Sequence, residues 1–101
     1  MLGDLMGNME EKQKLMKEKL RTIPVSEKLE GIEISANGAR EILNVKIDAQ
    51  YCSAESTEEL EDLMVVAMNN LLNKVGEVEA QESQNMINDM LPPGMGDLFG
   101  G

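Results

Sequence analysis

Histidine is absent from these 101 residues. That removes the imidazole base, the neutral-pH proton shuttle and the commonest transition-metal ligand. The one cysteine, Cys52, permits neither an intrachain disulfide nor a thiolate metal cluster. It reads as a small, partly buried residue closing a strand, because a reactive thiol needs a cation nearby and its sequence neighbourhood offers only acids. Aromatic rings number two, Tyr51 and Phe99, so any core must be built from Leu, Ile, Val and nine Met. No stretch approaches the roughly 20 apolar residues that cross a bilayer, so no membrane partner is expected. The opening MLGDLMGNMEEKQK lacks the basic flank and unbroken apolar core of a secretory leader, which points to the cytoplasm.

Positive charge is also scarce. Nine Lys and Arg stand against nineteen Asp and Glu, a formal net charge of −10. Taken whole, this is a poor start for binding a polyanion. The distribution changes the question. Residues 1–47 hold eight acids and eight bases, whereas residues 48–101 hold eleven acids and one base, Lys74. The positive charge is densest at Lys12, Lys14, Lys17, Lys19 and Arg21. Such asymmetry between halves points to two faces or two partners.

The length allows one domain, 1–101, with 1–8 and 92–101 expected as flexible tails. Over residues 5 to about 21, Leu5, Met9, Met16 and Leu20 fall four or seven apart, with Gln13 in the same row, as on one face of a helix. Asp4 or Asn8 could cap its start, and Pro24 forbids continuation far past Arg21. From residue 22 the period becomes two. Ile23 and Val25, then Ile32, Ile34 and Ala36, then Leu43, Val45 and Ile47 alternate with other residues, which is the strand pattern. Asn37-Gly38 marks a turn through its tolerance of positive φ, and Gly31 marks another tight connection. The economical reading is a three-stranded antiparallel meander with one apolar face.

A second helix is expected to cover that face. Ser56 and Glu59 have capping-box spacing, and Glu58, Glu59, Glu61 and Asp62 crowd the start, where the helix dipole favours acids. Leu60, Leu63, Met64, Ala67, Leu71, Val75 and Val78 continue a helical stripe, and Pro92-Pro93-Gly94 stops the helix near Met90. Gly76 marks a place where it could bend or break. A helix from Thr57 to Met90 would be about 50 Å long, against about 20 Å for an ordinary strand. Its far end, with Met86, Ile87 and Met90, would project unless a second copy of the chain buried it, so a homodimer is expected. The alternative is partial disorder beyond Gly76.

Four segments, in this order, resemble the YbaB/EbfC family of bacterial nucleoid-associated DNA-binding proteins. Ile32-Glu33-Ile34-Ser35-Ala36-Asn37-Gly38 is similar to its second strand and turn, and Ile42-Leu43-Asn44-Val45-Lys46-Ile47-Asp48 to its third strand. Leu60-Glu61-Asp62-Leu63 followed by Ala67-Met68-Asn69-Asn70 is similar to the start of its long helix, and Leu91-Pro92-Pro93-Gly94-Met95 to its tail. The resemblance covers essentially the whole chain. It implies an α+β protomer of order α-β-β-β-α, a tweezer-like homodimer, binding of double-stranded DNA in the nucleoid, and no catalysis. The chain departs from the family's pattern in the second half of the long helix, where relatives commonly carry several cations and this chain has Lys74 alone.

The basic run is the candidate DNA-binding site, with Lys12, Lys14, Lys17, Lys19 and Arg21 as phosphate contacts. At 100° per residue, Lys14, Lys17 and Arg21 share one side of the helix, while Lys12 and Lys19 flank its apolar stripe. The competing reading is a solvated face balanced by Glu10, Glu11 and Glu18, with Glu10 and Lys14 a favourable i, i+4 pair. Phosphate contact would be salt-sensitive and independent of base sequence, and no base-reading motif is present. Scarce aromatics argue against stacking on single strands. The acids Glu55, Glu58, Glu59, Glu61 and Asp62 lack the spacing and turn glycine of a calcium loop, so no metal or cofactor is expected. The rival function is a dimeric adaptor that keeps the fold and engages other proteins through its acidic half.

Overall fold

The computed structural model of the protein describes residues 2–90, with side chains described for 7–89. Helix α1 (Leu2–Arg21) leads into strands β1 (Pro24–Leu29), β2 (Ile32–Asn37) and β3 (Ile42–Ile47). Two 3₁₀ turns, Ala49–Tyr51 and Ala54–Ser56, then lead into the 34-residue helix α2 (Thr57–Met90). The sheet is an antiparallel meander of order β1-β2-β3, so the α+β architecture expected from the sequence is the one observed. The segment 91–101, including the Pro-Pro-Gly stop, lies outside the described residues.

Helix α1 begins at Leu2, ahead of both Asp4 and Asn8, so neither caps it. Its far end closes where Thr22 N and Oγ1 both donate to the Lys19 carbonyl, at 3.0 and 2.6 Å, and Ile23 N donates to Leu20 O at 3.1 Å. These bonds satisfy carbonyls the helix leaves open, and Lys19 and Arg21 complement the negative end of its dipole.

The inner face of the sheet is set by alternation. Val25 of β1 and Ile32, Ile34 and Ala36 of β2 point at α2 and meet Ala67, Leu71 and Val75, all buried. Leu60, Leu63, Met64 and Val78 flank this cluster, so the whole stripe read from the sequence packs as expected. Helix α2 runs unbroken through Gly76, where an added Cβ would meet nothing within 4 Å. Its start differs from a capping box. The Ser56 hydroxyl donates to Gln50 O at 2.9 Å, because the 3₁₀ turn ahead of α2 already carries the chain into helical geometry.

Both hairpins use glycine for close approach. At Gly31 a Cβ would lie 2.6 Å from the Tyr51 ring and 2.7 Å from Asp48 Oδ2. At Gly38 it would lie 3.0 Å from Leu20 O and from Val78 Cγ1, and Gly38 N donates to the carbonyls of Leu20 and Ile23 at 3.0 Å each. The expected left-handed residue of the second turn is therefore not in Asn37-Gly38. It is Arg40, at φ 66°. Asn37 orders the turn through its Oδ1, which accepts from Ala39 N and Glu41 N. Cys52, expected to be partly buried, is exposed, in the segment that follows β3.

One expectation fails in an informative way. Helix α2 covers β1 and β2 but not β3, whose six residues are all exposed. Register pairs Val45 with Ile34 and Ile47 with Ile32, so both lie on the inner face, yet they remain 42% and 38% exposed. Leu43 is the extra residue of a bulge between the Ser35–Asn44 and Ala36–Ile42 pairs. On α2, Asn70 and Lys74 reach β1, so by helical geometry Val65, Met68 and Leu72 stand on the opposite flank, towards β3. They too are exposed, at 60%, 49% and 51%. An apolar trough thus lies open between that flank of α2 and the inner face of β3.

Candidate nucleic-acid interface

Helix α1 carries the five cations singled out in the sequence, and among its described side chains burial increases towards its last turns. Leu20 is buried, Met16 half-buried, and Met9 and Leu15 are exposed. The helix runs antiparallel to the distal part of α2, with a shallow apolar groove between them lined by Met9, Met16, Leu20 and Met86. Lys12 and Lys17 line this groove, and Lys19 lines an adjoining one with Lys12, Leu15, Glu82 and Asp89.

Each cation has a distinct setting. Lys12, Lys14 and Lys17 are exposed and in no ion pair among the described residues. Lys19 Nζ lies 2.8 Å from Glu82 Oε2 of α2, and the Glu82 carboxylate raises the Lys19 pKa above its ordinary value. Arg21 Nε lies 3.3 Å from Glu41 Oε1, at the start of β3's approach. The Glu41 pKa is lowered, first by the hydrogen bond from Asn37 Nδ2 and then by the charges of Arg21 and Lys17. The Lys14, Lys17 and Arg21 row therefore ends beside the β2–β3 turn.

The turn brings a further cation that the sequence reading missed. Arg40 donates to both oxygens of Glu79 on α2, from Nη2 at 2.6 Å and from Nε at 3.0 Å, and its side chain is still about half exposed. Glu79 raises the Arg40 pKa. Nothing local in the sequence announces this residue, since Arg40 stands 19 positions beyond the basic run. The bonds from Gly38 N to Leu20 O and Ile23 O, with the Arg21–Glu41 pair, dock its turn against the end of α1. Lys17, Lys19, Arg21 and Arg40 thus gather around the end of α1, interleaved with Glu41, Glu79 and Glu82.

Chemically, this surface can hold anions by charge and by the guanidinium forks of Arg21 and Arg40. Among the described residues no group of three His, Cys, Asp or Glu converges to hold a metal ion. No described helix is long and apolar enough to cross a membrane.

The chain is similar to known proteins. The chain is 34% identical over 94 residues to a nucleoid-associated protein of Syntrophobacter fumaroxidans, covering 93% of this chain and 81% of that one. It is 30% identical over 95 residues to a nucleoid-associated protein of Sulfurovum, covering 92% and 90%. Among solved structures, that of the uncharacterised Helicobacter pylori protein HP0035 superposes with a TM-score of 0.66 at 23% identity, over 81% of this chain and 98% of that one, which shows a shared fold. The family model for the YbaB/EbfC DNA-binding family matches residues 1–90. With the helix, meander and long helix in that order, the chain belongs to the YbaB/EbfC DNA-binding family.

Proposed function

We propose that this protein binds double-stranded DNA as a homodimer at the nucleoid, through phosphate contacts from Lys12, Lys14, Lys17, Lys19 and Arg21 of α1, joined by Arg40. One observation carries the reading: α1 holds Lys12, Lys14 and Lys17 in solvent with no ionic partner among the described residues, in a chain whose net charge is −10. In so acidic a protein, unneutralised cations on one helix are the natural seat for a polyanion. Contact of this kind reads backbone and shape rather than base edges.

The homodimer rests on the open trough. Val45 and Ile47 of β3 and Met68 and Leu72 of α2 present contiguous apolar surface, and β3 adds an unpaired strand edge. Such edges are protected in stable proteins, and a second β3 related by a two-fold axis would pair this one and cover the trough. Sedimentation of the wild-type chain should give twice the chain mass, and Val45→Glu should give the single mass. A monomer at all concentrations would refute the dimer.

A mobility-shift titration on duplex DNA at low and moderate salt tests the main reading. Binding should weaken steeply with salt, and neutralising Lys14, Lys17 and Arg21 together should flatten that dependence by about 0.9 per lost phosphate contact. No complex even at low salt would refute DNA binding and favour the adaptor reading.

A further inference from the structure

We propose that Glu82 and Glu79 of α2 are resident counter-anions that set the DNA affinity of this protein, each holding a cation that a phosphate would otherwise take. The inference rests on the DNA-binding reading above. Its ground is the pairing at the junction of α1, the β2–β3 turn and α2. Lys19 faces Glu82 at 2.8 Å and Arg40 faces Glu79 through two bonds. Both cations keep side chains more than half exposed, at 57% and 56%, whereas the acids are the more sheltered partners, at 12% and 33%. The cations can therefore turn towards solvent and a phosphate while the acids stay with the helix.

The two pairs differ in kind. Arg40 and Glu79 form a two-bond fork, the geometry a phosphate would reproduce. Glu82 Oε2 is buried, and the nearby Lys19 ammonium is a charge contact rather than a well-aligned hydrogen bond. Neither acid contributes to the apolar cluster that joins α2 to the sheet. Their consequence is electrostatic: DNA must displace two carboxylates to gain two of its six candidate contacts, and the displaced charges then repel it.

Glu79→Gln and Glu82→Gln keep side-chain size and remove the charge. In mobility-shift titrations the double variant should bind duplex DNA more tightly than wild type. Each freed cation should steepen the salt slope by about 0.9, equivalent to roughly eightfold in affinity at 0.1 M salt. Circular dichroism melting checks that the variants remain folded. Two controls separate pairing from net charge. Glu58→Gln with Glu59→Gln removes the same charge about 36 Å away along α2 and should gain far less. In a Lys19→Gln background, Glu82→Gln should gain clearly less than in the wild-type background, because the cation it would free is already gone and only the relief of repulsion is left. The proposal is overturned if wild type binds and the Glu79/Glu82 variant binds no more tightly, or if the distant control gains as much. Failure of every folded variant to bind at low salt would instead bring down the DNA reading, and this proposal with it.

Discussion

Glu27, on the inner face of β1, accepts a bond from Lys74 Nζ of α2 at 2.6 Å, and Asn70 Nδ2 of the same helix donates to its other oxygen at 2.7 Å. The acid is buried among apolar neighbours, and Lys74 also reaches Ser26 O at 3.1 Å. Lys74 is the one base in the acidic half of the chain, and it is spent on clamping α2 to the sheet. This explains how a strand otherwise alternating Val25 and Leu29 inward tolerates a carboxylate between them.

That clamp gives a pH prediction. The bonds from Lys74 and then Asn70 hold the Glu27 pKa below the ordinary carboxylate value. A depressed folded pKa means the stabilisation is full above the unfolded value of about 4.3 and is lost as pH falls through the folded pKa. Lys74→Met should therefore lower the denaturation midpoint most at neutral pH, and the gap to wild type should close in acid. An equal gap at pH 7 and pH 3 would show that Lys74 acts through packing alone.

Gly31→Ala should destabilise the protein by about 1–3 kcal/mol, the usual range for forced overpacking. The added methyl would meet the buried Tyr51 ring and Asp48. Urea unfolding followed by circular dichroism measures it, and an unchanged midpoint would mean the ring moves aside freely.

Gly76→Ala should act in the opposite sense. The position is mid-helix with open space around its Cβ, so alanine should stabilise by about 1 kcal/mol through helix propensity. A loss of stability in the same unfolding experiment would indicate that a second chain packs closely against this site.

Adjacent leucines should separate core from interface. Leu71 is 1% exposed within the central cluster, and Leu71→Ala should cost about 2–5 kcal/mol in denaturant unfolding. Leu72 is half exposed in the trough. Leu72→Ala should leave the fold intact and weaken self-association in a sedimentation dilution series. Equal effects of the two on unfolding of the dissociated chain would contradict the observed orientation of α2.

Much of this was legible along the chain because the signals are local. The inward stripe of α2 is a matter of spacing three and four apart, and all seven of its residues pack where that spacing puts them. The alternation in β2 likewise named Ile32, Ile34 and Ala36, and each is buried. The same alternation in β3 correctly gave the face of Val45 and Ile47 but not their exposure. Periodicity says which residues share a side. It cannot say whether a 34-residue helix, about 10 Å wide with its side chains, spans two strands or three.

The basic helix shows the same division. A scarcity of positive charge, with five of the nine bases within residues 12–21, is a property of the sequence and pointed to α1. Composition also excluded His chemistry and an intrachain disulfide outright, since there is no histidine and only one cysteine. Which of those cations stand free was decided in three dimensions. Lys19 and Glu82 are 63 positions apart, and Arg40 and Glu79 are 39 apart. Charge pairing falls off with distance in space, not along the chain, so only the antiparallel packing of α1 against α2 and the docking of the β2–β3 turn could set acids beside Lys19, Arg21 and Arg40 and leave Lys12, Lys14 and Lys17 to solvent.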